Sequence, residues 1–99
     1  MSGYPVFLDL AGERVLVVGG GAVAARKVAG LLRAGAAVTV VAPDAVAELA
    51  EDPDVRWHRR QYLRGEAASY RLVFNATDDP DVNRQVARDG RAANVFVNS

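Results

Sequence analysis

Arg14-Val15-Leu16-Val17-Val18-Gly19-Gly20-Gly21-Ala22-Val23-Ala24 joins two patterns that do not mix within one element. The first five residues form an apolar, β-branched run closed by glycines, which predicts a strand buried on both faces, as in a parallel sheet. After the glycines, Ala24, Val28, Leu31 and Leu32 recur at helical spacing while Arg26 and Arg33 fall elsewhere. That periodicity predicts a helix over about residues 22–34, ended by Gly35. The glycines between the two elements fit G-x-G-x-x-G/A. Gly19 permits a tight turn, Gly21 lets a diphosphate reach the backbone, and Ala24 is small enough for the helix to lie on the sheet. Free N–H groups and the dipole at a helix start favour anions there. A glycine turn with no ligand is the plain alternative, and a strand before with a helix after is the context that favours phosphate.

Outward from this loop the chain alternates strand and helix. Residues 6–10 read as a short strand and 11–13 as a turn. Residues 37–41 are a second buried strand. Pro43 and Asp44 open a short helical stretch running to residue 51, with Asp44 as its N-cap. Asp52-Pro53-Asp54 breaks it. Residues 55–60 alternate apolar and polar, as an edge strand with one wet face does. Residues 61–69 read as a loop with one helical turn, and 70–75 as a strand. Thr77-Asp78-Asp79-Pro80 then starts a helix, with Asp79 as N-cap and Pro80 at the first helical position, reaching about residue 92. A last strand covers 94–98. Repeated β-α-β units predict an α/β, Rossmann-like doubly wound parallel sheet in a single domain over residues 1–99. Right-handed crossovers give the order 3-2-1-4-5, counting the strand before the glycines as the first.

Composition narrows the function. Ninety-nine residues suffice for one domain, and 51% hydrophobic with 24% charged residues is globular rather than disordered. Twelve Lys/Arg against twelve Asp/Glu leave no basic excess, which argues against a nucleic-acid partner. Without Cys there are no disulfides, thiolate zinc sites or cysteine nucleophiles, and one His cannot build a multi-histidine metal site. No apolar run reaches the ~20 residues of a membrane span. The opening Met1-Ser2-Gly3-Tyr4-Pro5 is no signal peptide, so a soluble, cytoplasmic domain is expected.

The dinucleotide fingerprint calls for an acidic residue at the end of the second strand. Asp44, in Ala42-Pro43-Asp44, falls one or two positions late and can accept ribose hydroxyls, or serve as a plain N-cap. No Arg lies between residues 42 and 47 to clamp a 2′-phosphate, which favours NAD over NADP.

Tyr4-Pro5-Val6-Phe7-Leu8-Asp9-Leu10 and the run from Arg14 through Ala24-Ala25-Arg26-Lys27 resemble the start of the siroheme synthase amino-terminal family. These are the precorrin-2 dehydrogenases, many of them also sirohydrochlorin ferrochelatases. Val38-Thr39-Val40-Val41-Ala42-Pro43, Ala76-Thr77-Asp78-Asp79-Pro80-Asp81-Val82-Asn83 and Val95-Phe96-Val97-Asn98 are similar to its second strand, its A-T-D-D-x-x-V-N block and the strand before its catalytic segment. The glycine loop with V-A-x-R-K and the A-T-D-D block are specific together. The resemblance implies NAD as hydride acceptor from precorrin-2, giving sirohydrochlorin, with ferrous iron inserted by many members. It implies that Gly19, Gly21, Ala22 and Val23 contact the pyrophosphate, that Pro43 and Asp44 take the adenosine side, and that Thr77 lies near the cofactor. Asn75 departs from the family, where a small residue is common. The family's N-V-V-D carboxylate would fall just beyond Ser99, and its dimerisation and substrate-covering region further on. The expectation is a domain truncated at its C-terminal end, homodimeric when full-length, that alone binds NAD weakly and does not turn over precorrin-2.

Other polar groups carry two readings each. Asp78, Asp79 and Asp81 serve capping and the helix dipole, while Asp78 is also placed at the mouth of the cleft, where such folds bind substrate. As a metal site the cluster lacks a His or a second carboxylate group. Arg26 and Lys27 are a solvated helix face or an attraction for a polycarboxylate. His58 beside Trp57 reads as structural. Arg56, Arg59, Arg60 and Arg64 read as solvated surface offset by Glu48, Glu51, Asp52 and Asp54. A second function from another class is an NAD-sensing regulatory module, which the A-T-D-D block and Pro43 argue against. A third is a dinucleotide-fold fragment with no activity of its own.

Overall fold

The computed structural model describes residues 3–99. The run before the glycines forms β1 (Arg14–Val18), followed by α1 (Ala22–Arg33), β2 (Ala37–Ala42), α2 (Ala47–Ala50), β3 (Val55–Arg59), β4 (Leu72–Asn75), α3 (Pro80–Ala93) and β5 (Phe96–Asn98). One 3₁₀ turn, Glu66–Ser69, interrupts the connection from β3 to β4. The five strands form one all-parallel sheet in the order β3-β2-β1-β4-β5, so the α/β doubly wound architecture and the strand order are as the alternation requires.

The burial of β1 explains why it carries no polar residue after Arg14. Val15 and Val17 point into a layer with Ala24, Val28 and Leu31 of α1 and Leu49 of α2. Leu16 and Val18 point the other way, against Val86 of α3, Ala67 and Tyr70. All four β1 residues are at most 2% exposed, so each face of the strand supports one helical layer. Fully burying one such side chain contributes roughly 1.5–3 kcal/mol. Central strands therefore hold the sheet in place and leave its carboxyl edge free to be shaped by loops.

The helix ends follow local chemistry. Gly35, at φ +83, ends α1: its N–H donates to Leu32 O (3.0 Å), and Ala36 N–H donates to Leu31 O (3.1 Å). These two bonds satisfy carbonyls that the helix leaves open, in the Schellman arrangement. At the start of α3, Asp79 Oδ1 accepts from Asp81 N–H (2.9 Å) and Val82 N–H (3.3 Å), with Pro80 just inside. Asn94, in the left-handed region at φ 57, ends that helix.

Two expected elements differ. Residues 6–10 are not a strand: Val6 and Phe7 stand exposed, and Phe7 has no apolar surface to cover it. The segment turns instead into β1, with Ala11 N–H donating to Asp9 Oδ1 (3.1 Å) and Gly12 N–H to Gly35 O (2.9 Å). The helix after β2 starts at Ala47 rather than Pro43, and Val46, not Asp44, occupies its N-cap. Val46 N–H donates to Gly20 O (2.8 Å), so residues 43–46 are drawn across the glycine loop before any helix can begin. Met1 and Ser2 of the opening stretch lie outside the described residues.

Candidate functional site

At the carboxyl edge of the sheet, the segments following β1, β2 and β4 enclose a cleft of ≈ 720 Å³. This is the edge at which open α/β sheets bind ligands, beside the point where the strand order reverses from β1 to β2 on one side and β4 on the other. Its walls are residues 18–23, 41–46 and 76–79, with Gln61, Tyr62 and Val82 closing one side. Every site residue read from the sequence is here: Gly19, Gly21, Ala22 and Val23 on one wall, Pro43 and Asp44 on the second, Thr77 and Asp78 on the third.

The three glycines do three different things. Gly19, at φ +122, sits where a Cβ would come within 2.8 Å of Ala76 O, so the turn and the end of β4 can meet only around a residue without a side chain. Gly20 is walled by Asp44 O, Ala45 Cα and the Ala42 Cβ, and its own carbonyl holds Val46. Gly21 has nothing within 4 Å of its Cβ position. Its smallness is not required by the protein's own atoms, and the open space lies on the cleft wall.

Gly21 is also the N-cap of α1, at φ −91, and no side chain accepts a hydrogen bond from this helix start. The first turn of α1 contains no acidic residue, in contrast to α3, whose first turn is capped by Asp79 and carries Asp81. The leading amides of α1 and the positive end of its dipole are thus left for an anion from outside. Ala24, fully buried, lets α1 approach the sheet closely enough to aim that turn at the cleft. A dinucleotide diphosphate fits these features: a backbone cradle, uncapped amides and no side chain in the way.

Opposite the glycines, Asp79 is engaged as the cap of α3, Thr77 Oγ1 accepts from Asp79 N–H (3.2 Å), and Asp81 pairs with Arg84. Asp78 lines the cleft. Asn75, buried at the end of β4, ties the strand to α3 by donating from Nδ2 to Asn83 O (3.3 Å), while the Oδ1 atoms of Asn75 and Asn83 are buried without a partner among the described residues. Lys27 Nζ rests 5.6 Å from the centre of the Phe74 ring. Among the described residues no three His, Asp or Glu side chains converge, and no helix is long and apolar enough to cross a membrane.

The family whose model matches residues 6–99 is described as putative NAD(P)-binding. The chain belongs to that family. It is similar over 99% of its length to siroheme synthases: 43% identical to that of Pseudoalteromonas atlantica, 44% to that of Chromobacterium violaceum and 46% to that of Pseudomonas putida strain W619. Among solved structures it resembles SirC, precorrin-2 dehydrogenase, with a TM-score of 0.82 and 37% identity over 97% of this chain. The chain spans 22% of the length of those synthases and 48% of the SirC chain. The resemblance carried by the glycine loop and the A-T-D-D block is borne out, and the family's description agrees with NAD as the cofactor.

Three features in and around the cleft are not legible in the sequence. Tyr62 closes the cleft from the stretch of chain with no periodicity. Its hydroxyl donates to Asp89 Oδ2 (2.6 Å) and accepts from Ala67 N–H (3.0 Å). Burial pushes the Tyr62 phenol well above its ordinary range, and the bond to Asp89 adds to that. Asp89 also accepts from Gly65 N–H (2.7 Å) and Gln85 Nε2 (2.9 Å). Burial raises this carboxyl, but the three hydrogen bonds outweigh it and hold the group below the usual range. Second, among the described residues the arginines after Trp57 make no ion pair with Glu48, Glu51, Asp52 or Asp54. Arg60 forks onto both oxygens of Glu66 (3.0 and 2.7 Å) and also meets His58 Nδ1 (3.1 Å). Burial opposes the Glu66 charge, but the bonds from Arg60 and Leu63 N–H prevail and lower its pKa. Third, an arginine does reach the second wall: Arg59 Nη2 lies 3.6 Å from Asp44 Oδ1. It arrives from the neighbouring strand, where a search confined to residues 42–47 does not look.

Proposed function

We propose that residues 1–99 are the NAD-binding domain of a precorrin-2 dehydrogenase, which oxidises precorrin-2 to sirohydrochlorin on the route to siroheme. The observation that carries the reading is the bare first turn of α1 opening onto the cleft beside Gly21, a place shaped for a diphosphate. The siroheme synthases and the dehydrogenase SirC among its relatives support the choice of substrate.

In this reading Gly19, Gly21, Ala22 and Val23 take the diphosphate through backbone amides, and Pro43 and Asp44 receive the adenosine half. Thr77 borders the nicotinamide half and Asp78 the macrocycle at the mouth. NAD, once bound, supplies the hydride acceptor. The chain's own part is to hold the reacting partners in register, and orientation of this kind accounts for much of a hydride-transfer enzyme's effect. Ferrous iron as a further substrate, a homodimeric assembly and a cytoplasmic location belong to the same proposal and rest on the resemblance.

Titration calorimetry with NAD is expected to give saturable one-to-one binding. Precorrin-2 incubated with NAD and the polypeptide carrying this domain is expected to yield sirohydrochlorin and reduced nicotinamide in equal amounts. A flat NAD titration would overturn the cofactor assignment. NAD binding without oxidation of precorrin-2 would overturn the substrate.

A further inference from the structure

Arg59 ends the edge strand β3, where it lies in register with Ala42 at the end of β2. Its backbone is well fixed. The Ala42 carbonyl accepts both from Trp57 Nε1 (3.0 Å) and from Arg60 N–H (3.2 Å), which clamps the ends of the two strands together. The Arg59 guanidinium lies 5.4 Å from the centre of the Trp57 ring and 3.6 Å from Asp44 Oδ1. Both partners remain open to solvent, with side-chain exposures of 69% and 90%. The neighbouring Arg60 is committed to Glu66 by two bonds. Among the described residues, the lining of the cleft includes no Lys or Arg. The charge that meets the adenosine ribose is therefore set by one exposed pair, Asp44 with Arg59.

We propose that Arg59, beside the cleft, is its nucleotide-selecting residue, a latent 2′-phosphate site that Asp44 keeps closed. This rests on the dinucleotide reading above and goes beyond it. With Asp44 present, a ribose 2′-hydroxyl finds a carboxylate acceptor. A 2′-phosphate finds a like charge, and the Arg59 guanidinium beside it is already engaged by Asp44. The pair is exposed and individually weak, so its role is selection rather than stability. Without Asp44 the Arg59 fork is free, and its planar donors match a phosphate. Selectivity of this kind comes from repulsion of the wrong ligand as much as from attraction of the right one. The guanidinium stays near the ribose because Trp57 lies beneath it.

The test compares NAD and NADP binding by calorimetry for the unchanged protein, Asp44→Ala and the double variant Asp44→Ala/Arg59→Ala. All are checked by circular dichroism, since neither exposed side chain supports the fold. The unchanged protein is expected to prefer NAD. Asp44→Ala should shift the ratio of the two dissociation constants about tenfold or more towards NADP, and raised salt should shrink that gain, as for any exposed charge contact. The double variant should lose the gain. An unchanged protein that binds NAD yet shows no shift in Asp44→Ala, a gain that survives in the double variant, or a native preference for NADP would each overturn the proposal while leaving the dinucleotide reading intact. Failure of the unchanged protein to bind either nucleotide would overturn both.

Discussion

At the scale of single residues, the three glycines separate fold from function. A methyl group at Gly21 meets no protein atom, so Gly21→Ala is expected to melt within a few degrees of the unchanged protein while losing about tenfold or more in NAD affinity, because the methyl stands where the diphosphate must approach. Gly20→Ala drives a methyl into Asp44 O and Ala45 Cα, and should cost about 1–3 kcal/mol in chemical denaturation, as overpacking does. If both variants lost stability equally, Gly21 would be a structural glycine and the phosphate assignment would fail. The G-x-G-x-x-A spacing makes Gly19, Gly21 and Ala24 legible in the chain. Gly20 occupies a free position of that motif, and what constrains it is a backbone carbonyl two dozen residues away. The pairing of Arg59 with Asp44 is illegible for a like reason: it depends on the register of two parallel strands, which residue spacing does not encode.

At the scale of elements, both long helices end at a left-handed residue, Gly35 or Asn94, but only α3 has a side-chain cap at its start. Removing the cap of α3 in Asp79→Ala is expected to cost ~1 kcal/mol, read from denaturant midpoints. Gly90 lies where α3 touches β5, and a Cβ there would meet the Val97 side chain and come within 3.1 Å of Val95 O. Gly90→Ala should therefore destabilise by about 1–3 kcal/mol, although alanine favours an isolated helix. A stabilised Gly90→Ala would show that the helix can move off the sheet. Elements with their own punctuation were readable: α3 from Asp79-Pro80, α1 from its periodicity and Gly35. Residues 6–10 have the composition of a strand but no neighbouring strand to pair with, and composition does not reveal partners. α2 begins at Ala47 and not at Pro43 because a bond from Val46 N–H to Gly20 O overrides the local capping preference of Asp44.

At the scale of the molecule, sheet order was legible because β-α-β repeats with right-handed crossovers leave few alternatives. The polar lattice under the cleft was not, since Tyr62–Asp89 and Arg60–Glu66 join segments with no periodic signature. That lattice sets the response to acid. Glu66 and Asp89 have folded-state pKa values below their ordinary ones, so their contribution is fully present above the unfolded values near about 4 and is lost as pH falls through the folded values. Melting temperature should be flat from neutrality to about pH 5 and drop below about pH 4. Glu66→Gln and Asp89→Asn should each lower it at neutral pH and flatten the acid limb. An acid limb unchanged in both variants would assign the loss to other carboxylates.

The bare amides that begin α1 make this protein's folding equilibrium a reporter of what it binds. A guest that supplies the missing acceptors completes the helix from outside, and saturation at a hundredfold excess over the dissociation constant adds about 2.7 kcal/mol by mass action. Thermal denaturation should accordingly move upward as NAD is added, with adenosine, which lacks the diphosphate, giving little of that gain. On the proposed reading, a bound dinucleotide would serve as the cap that the first turn of α1 lacks.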